Sequence, residues 1–220
     1  MGEKANERID VDGVLRQSSE IYRESVLKLW ILAIILLAPA QVLSLLLDGP
    51  LTWWIPMLVV LPLEAWLIAA VVKLVLVETT QIGPGPSVGS LLKSALSCLV
   101  SMTVLSFMAQ VAISIGVVFL IVPGVFLAVI WIVAPPALVI EKVGPFDALH
   151  RSFELTRGNR VRILPLVLVF LVAEALSLGV GFLLSDMPAL SNVFGTLYSV
   201  IVYPFVVIVS TVLYLRLSGD

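Results

Sequence analysis

The chain has 220 residues, of which 60% are hydrophobic and only 13% charged, and its mean hydropathy is +1.13. Water-soluble domains run near about 45–50% apolar and about 25% charged, so a water-covered globular fold is excluded and much of the surface must face lipid. A net charge of −2 excludes a nucleic-acid binder of the basic-patch type, and the single cysteine, Cys98, excludes an intrachain disulfide.

Residues 1–28 carry Glu3, Glu7, Asp10, Asp12, Glu20 and Glu24 ahead of the first apolar run, a pattern that argues against a secretory signal peptide. Within them Val11, Val14, Leu15, Ser18, Ile21, Tyr22 and Val26 recur at three- and four-residue spacing. Asp12, Arg16, Glu20, Arg23 and Glu24 face away. This predicts an amphipathic helix that either lies in the membrane interface or caps the end of a bundle.

A membrane span needs about 20 apolar residues to cross about 30 Å of hydrocarbon. Six segments qualify: 29–47, 53–77, 95–121, 124–140, 163–185 and 192–215. Asp48-Gly49-Pro50 ends the first, and Trp53 and Trp54 stand at the expected outer interface. Glu64 lies in the middle of the second span, and Lys73 near its inner end is expected to snorkel. Gly83-Pro84-Gly85-Pro86 predicts a non-helical loop; its glycine spacing is wrong for a dinucleotide site, and its prolines remove donors that phosphate would need. Pro123-Gly124 is expected to divide the third span from the fourth, the alternative being one kinked span and a re-entrant piece. Pro135-Pro136 and Pro204 must kink their spans and free carbonyls for Ser, Thr or a neighbouring helix to satisfy.

Residues 145–157 predict a second surface helix, opened by Pro145, started favourably by Asp147 and stopped by Gly158. Its only histidine, His150, reads as an interfacial residue. Glu141 leaves the fourth span just ahead of it, and Arg151 or Arg157 can fold back onto that carboxylate as a clamp. Glu174 sits mid-way along the fifth span. A charge at a span centre costs about 2.5–3.5 kcal/mol on insertion scales, so Glu64 and Glu174 form the candidate intramembrane polar site. Gln41, Gln110, Ser177 and Thr103 are candidate partners. The pairs Ala112/Gly116, Ala175/Gly179 and Ser177/Gly181 permit close helix approach.

Basic residues fall in the N-terminal segment, the middle loop, the loop after the fourth span and the tail. The other connections carry none. By the positive-inside rule both termini are cytoplasmic, and the chain is expected in the cytoplasmic (inner) membrane. Val11–Arg16, Val88–Lys93 and Phe146–Arg151 share a pattern of apolar, small or acidic, small, apolar, any, basic. This suggests a threefold repeat of surface helix plus hairpin over 11–87, 88–145 and 146–220.

The run Ile121-Val122-Pro123-Gly124-Val125, Trp131, Ala134-Pro135-Pro136, Glu141, Gly144-Pro145, Ala148-Leu149, Arg151-Ser152 and Leu155-Thr156-Arg157-Gly158 has a distinctive order. It resembles the signature of the membrane domain ahead of some glycerophosphoryl diester phosphodiesterases, and of related stand-alone six-helix bacterial membrane proteins of uncharacterised function. The N-terminal Ile9-Asp10-Val11 to Tyr22-Arg23 is similar to that family's leading surface helix. The family's hydrolase domain is a separate metal-dependent barrel that nothing here supplies, so its activity is not implied. The expectation is an all-α polytopic membrane bundle, a single integral domain over 1–220, comprising a cytoplasmic amphipathic segment 1–28 and six spans over 29–216. It is expected to be non-enzymatic, with no catalytic residue, metal or cofactor. Its partners are expected to be membrane lipids, with a protein partner or second copy as a further class, and no nucleic acid. The expected role is that of an accessory, scaffold or lipid-binding domain; a proton-coupled or small-solute transporter using Glu64 and Glu174 is the alternative. A lateral apolar groove rimmed by Arg160 and Arg162 would favour lipid binding, and a shared water-accessible cavity at the two glutamates would favour transport.

Overall fold

The computed structural model describes residues 9–46, 54–80 and 86–219, and within them not the side chains of 40–41, 44–46, 54–57 and 188–189. Every regular element among them is helical. Helix α1, Val11–Leu46, is unbroken over 36 residues. The expected boundary near residue 28 between surface helix and first span is therefore not a break. From Val14 to Ala38 the sequence holds neither Gly nor Pro, so nothing interrupts the backbone ladder where polarity changes. At 1.5 Å per residue this helix is roughly 54 Å long, well beyond the hydrocarbon thickness of about 30 Å.

After α2, Trp54–Thr80, comes α3, Val88–Ala95, whose start is capped by Ser87 accepting from the Ser90 N–H at 3.2 Å. A 3-10 turn, Leu96–Cys98, carries it into α4, Leu99–Phe119. Then follow α5, Ile121–Trp131; α6, Ala134–Glu141; α7, Pro145–Leu155; α8, Arg160–Leu183; and α9, Pro188–Ser218. Among the described residues, five stretches are long and apolar enough to cross a membrane: Leu58–Thr80, Val88–Phe119, Ile121–Glu141, Arg160–Leu183 and Leu190–Ser218. The first of the six expected spans, 29–47, runs into residues outside the described set. Trp53, Asp48-Gly49-Pro50, Gly83-Pro84-Gly85 and the side chain of Trp54 also lie outside it. The three proposed repeat units differ at their junctions: α1 runs straight on, α3 passes through a 3-10 turn, and α7 is set off by a tight turn.

The centre of the bundle is α2 and α9. Half of the α2 span is buried inside the protein and 56% of the α9 span, against 11% for Val88–Phe119 and 17% for α8. The last two are therefore peripheral, and their apolar faces are left for lipid. In α2 the residues Ala65, Leu67, Ala69, Ala70, Val71 and Val72 are fully buried, so small side chains let neighbours close around it. The polar half of α1 packs against the end of α9. Val14, Ser18, Ile21 and Ser25 point inward, Arg216 donates to Gln17 Oε1 at 2.9 Å, and the Tyr22 hydroxyl donates to the Ile201 carbonyl at 3.0 Å. Lys28 pairs with Glu78 of α2 at 3.3 Å, and Ser25 donates to the same carboxylate oxygen.

The turn between α4 and α5 is not at Pro123-Gly124. It is at Leu120, whose backbone is extended (φ −159°, ψ 127°), and Pro123 and Gly124 lie in the first turn of α5. Proline is tolerated there because first-turn N–H groups have no intrahelical acceptor. Gly124 serves the helix contact instead. A Cβ there would lie 2.6 Å from the Val117 amide nitrogen, and one on Gly116 would lie 2.8 Å from the Gly124 Cα. Gly124→Ala is expected to destabilise the detergent-solubilised protein by about 1–3 kcal/mol, because two backbones must separate. Gly89→Ala, with no atom within 4 Å of the added carbon, should leave the thermal midpoint unchanged or higher. Equal losses in the two variants would mean that this close approach does not limit stability.

Candidate functional site

The local order of the site begins at the prolines. Pro135 and Pro136 open α6 and have no N–H to give the carbonyls of Trp131 and Ile132, so α5 ends and the chain turns at Ile132 and Val133. Freed acceptors cannot be left dry at this depth. Of the two, the Ile132 carbonyl accepts from the Ser210 hydroxyl of α9 at 2.6 Å; the neighbouring Ile130 carbonyl, which neither proline frees, accepts from the buried Ser152 hydroxyl of α7 at 2.7 Å. Ser152 belongs to the sequence signature. Ser210 was not singled out, and its only signal was a small hydroxyl in an apolar span.

Helix α6 ends with Lys142 in the left-handed conformation (φ 54°), and Pro145 begins α7. This turn folds α7 back along α6. Arg151 Nε then donates to Glu141 Oε1 at 2.8 Å, and the Tyr214 hydroxyl of α9 donates to the same oxygen at 2.7 Å. Of the two arginines considered for this clamp, Arg151 occupies it. The hydrogen bond to Glu141 raises the pKa of the Arg151 guanidinium above its ordinary value, against the opposing effect of burial. Arg151 also lies 3.8 Å from Glu154, which pairs with His150 at 3.3 Å. Helix α7 stops at Leu155, and Gly158 takes φ +90° in the turn to α8, a conformation that L side chains rarely adopt.

The intramembrane glutamates are near one another but not equivalent. Glu174 accepts from the Tyr198 hydroxyl of α9 at 3.1 Å. Both line a cavity of about 240 Å³ with Val167, Phe170, Leu171 and Tyr203. Glu64, on α2, is half-buried and is not among the lining residues. Gln110 faces outward from α4 and does not line this cavity, and the Gln41 side chain lies outside the described residues. Thr103 bonds back to Leu99 of its own helix at 2.8 Å. Lys73 reaches the Ser94 carbonyl. Tyr198 is thus the partner of Glu174, and the sequence offered only a tyrosine in an apolar span as its signal.

A lateral groove of about 470 Å³ separates α5 from α8, walled by Val122, Val125, Phe126, Val129, Leu164 and Leu168. Arg160, the first residue of α8, supplies the charge at its edge. Its guanidinium lies 4.2 Å from the centre of the Phe153 ring and 5.5 Å from that of Phe126, and its Nη2 donates to the Phe153 carbonyl at 3.0 Å. The Arg160 Nε is buried with no acceptor among the described residues. Arg160 is therefore held through its ring faces and one edge. Arg162 does not line the groove. Among the described residues no three His, Cys, Asp or Glu side chains converge as metal ligands.

The Glu141 node makes a quantitative test. Arg151 is 42% exposed and Glu141 25%, so solvent weakens the pair. A double-mutant cycle of Arg151→Ala and Glu141→Ala should give a coupling of about 0.5–1.5 kcal/mol in chemical unfolding. Glu141→Ala alone should cost more than Arg151→Ala, because it also removes the acceptor of Tyr214. A coupling of zero would mean that the contact contributes nothing to the angle of α7.

The model of the Uncharacterised protein family (UPF0259) matches residues 58–218, well over half of the chain. A UPF0259 membrane protein of Pectobacterium carotovorum is 33% identical over 70 residues, covering 32% of this chain and 28% of that protein. UPF0259 membrane proteins of Yersinia pestis and Yersinia pseudotuberculosis are each 30% identical over 103 residues, covering 47% of this chain and 39% of theirs. The chain thus aligns with less than two-fifths of the length of these curated relatives. No solved structure matches it. With several helices apolar enough to cross a bilayer and a family model spanning all five candidate spans found among the described residues, the chain belongs to the uncharacterised UPF0259 family of membrane proteins.

Proposed function

We propose that this membrane protein is a non-enzymatic lipid-binding or scaffold domain of membrane-lipid or envelope processes. In this reading it sits in the cytoplasmic membrane with six spans, and both termini and the basic end containing α7 face the cytoplasm. The resemblance to the membrane domain of glycerophosphoryl diester phosphodiesterases supports a lipid context and rests on the signature within residues 121–158.

The observation that carries the reading is Arg160 at the edge of the α5–α8 groove. An apolar groove alone selects nothing, because an acyl chain is already in an apolar solvent before it enters. Selectivity must come from the headgroup. Arg160 stands at the first residue of a membrane-crossing helix, where headgroup phosphates lie, and guanidinium forks match phosphate oxygens. Aromatic contacts fix its position in advance, which reduces the ordering cost of binding. Native mass spectrometry of protein released from nanodiscs is expected to show retained phospholipid. Val125→Trp, which fills the groove without touching Arg160, should lower the retained fraction at least several-fold, and Arg160→Gln should do the same. Unchanged retention in Val125→Trp would remove the groove from the account.

A second reading is a proton-coupled or small-solute carrier, favoured by the Tyr198–Glu174 bond beside an intramembrane cavity. Intramembrane carboxyl groups mark ion pathways when a cavity connects them. In proteoliposomes carrying a pH dye, Glu64→Gln and Glu174→Gln should each abolish any proton flux that the unaltered protein supports. Flux that persists in both variants would sink the carrier reading.

A further inference from the structure

The basic end of the bundle holds a second cavity, of about 530 Å³, formed by three distant parts of the chain. Ile9 before α1, the α7–α8 turn and the last turn of α9 meet there, joined by the Ile9 amide donating to Asn159 Oδ1 at 3.4 Å. Its polar lining is Arg151, Glu154, Arg157, Asn159, Arg216 and Ser218. Three guanidinium groups thus face one carboxylate. Arg151 is committed to Glu141, and Glu154 is shared between Arg151 and His150.

The other two arginines have no carboxylate partner in an ion pair among the described residues. Arg157 forms no ion pair among the described residues. Arg216 spends Nε and Nη2 on the neutral oxygen of Gln17 and, like Arg157, forms no ion pair among the described residues. Asp10 approaches Arg216 across Gly13 but forms no ion pair with it among the described residues. Asn159 accepts from Ile9 through Oδ1, and its Nδ2 makes no hydrogen bond among the described residues. Unspent planar donors converging on a cavity of small-molecule size suit an anion with several equivalent oxygens. We infer that this cavity is a binding site for a small phosphate-bearing anion, held by Arg157 and Arg216 with the Asn159 amide. The phosphate comes from a free soluble compound or from a lipid headgroup entering at the bundle's edge. The site is separate from the α5–α8 groove and does not depend on it.

The experiment uses the full chain with two probes. Inorganic pyrophosphate is titrated calorimetrically against detergent-solubilised protein, and phosphatidic acid is compared with phosphatidylcholine for retention from nanodiscs by native mass spectrometry. Saturable 1:1 pyrophosphate binding, weakened at least tenfold by Arg157→Gln and by Arg216→Gln and unchanged by Lys93→Gln, supports the site with a soluble source. No pyrophosphate binding, but preferential phosphatidic acid retention that both arginine variants lose, supports it with a headgroup source. Neither probe binding, or binding that Arg157→Gln leaves intact, overturns it, as does an equal loss in Lys93→Gln. Arg157 holds no ion pair that the fold needs, so that variant decides the question if Arg216→Gln fails to fold. Val125→Trp should lower only the total phospholipid retained, and pyrophosphate binding and the preference for phosphatidic acid should persist in it, which separates failure here from failure of the groove.

Discussion

Backbone carbonyls in hydrocarbon have no water to turn to, and this fold is organised around two places where the helix cannot supply a donor. Pro135 and Pro136 interrupt the span that α5 and α6 form together; a serine of another helix answers the freed Ile132 carbonyl, and a second serine binds a carbonyl beside the break. Ser152 brings α7, and Ser210 brings α9, to carbonyls two residues apart. The cost of an unsatisfied acceptor in lipid, several kcal/mol, exceeds that of ordering either short hydroxyl side chain. The break therefore sits at a three-helix junction rather than at a mere bend.

About two and a half helical turns further along, the same three helices meet again through a charge. Glu141 at the end of α6 receives Arg151 from α7 and Tyr214 from α9 on a single oxygen. The Ser152 hydroxyl bond and the Arg151–Glu141 pair tie α7 at two adjacent residues to both ends of the α5–α6 span's second half. The result is a rigid basic end on which Arg157, Asn159 and Arg160 are presented by a short turn. The peripheral helices are held differently, α4 by the glycine-to-glycine approach to α5 at Gly116 and Gly124 and α8 by the Tyr198–Glu174 and Arg160–Phe153 hydrogen bonds, and they bury far less of themselves.

The helices were readable from sequence because length and apolarity are local properties. So was the Glu141–Arg151 pair, since a tight turn after a span brings residues ten apart onto facing helices. Other features were hidden by local signals that point elsewhere. The loss of charge after Lys28 suggested a boundary, but a helix ladder does not register polarity, and α1 continues. Pro123-Gly124 reads as a turn, yet a proline in the first helical turn costs nothing and the glycine was needed for packing; Leu120, with no turn signature, makes the connection instead. Tyr198–Glu174 and Ser210–Ile132 join residues 24 and 78 apart in the chain, and no periodicity in one sequence relates such positions.

The α7–α8 turn also explains how two different sites arise at one end of the protein. Arg157 and Arg160 are three residues apart, but Gly158 between them adopts φ +90°, which reverses the chain and sends the two side chains into separate surroundings. Arg157 joins the polar cavity with Arg216, whereas Arg160 enters the aromatic slot between Phe126 and Phe153 beside the apolar groove. A β-carbon at Gly158 would meet no neighbour, so space is not the constraint; the backbone conformation itself is. An unbroken helix through this region would put 157 and 160 on the same face, with both guanidinium groups in one environment. The glycine thereby divides one run of basic residues between a water-facing pocket and the lipid boundary.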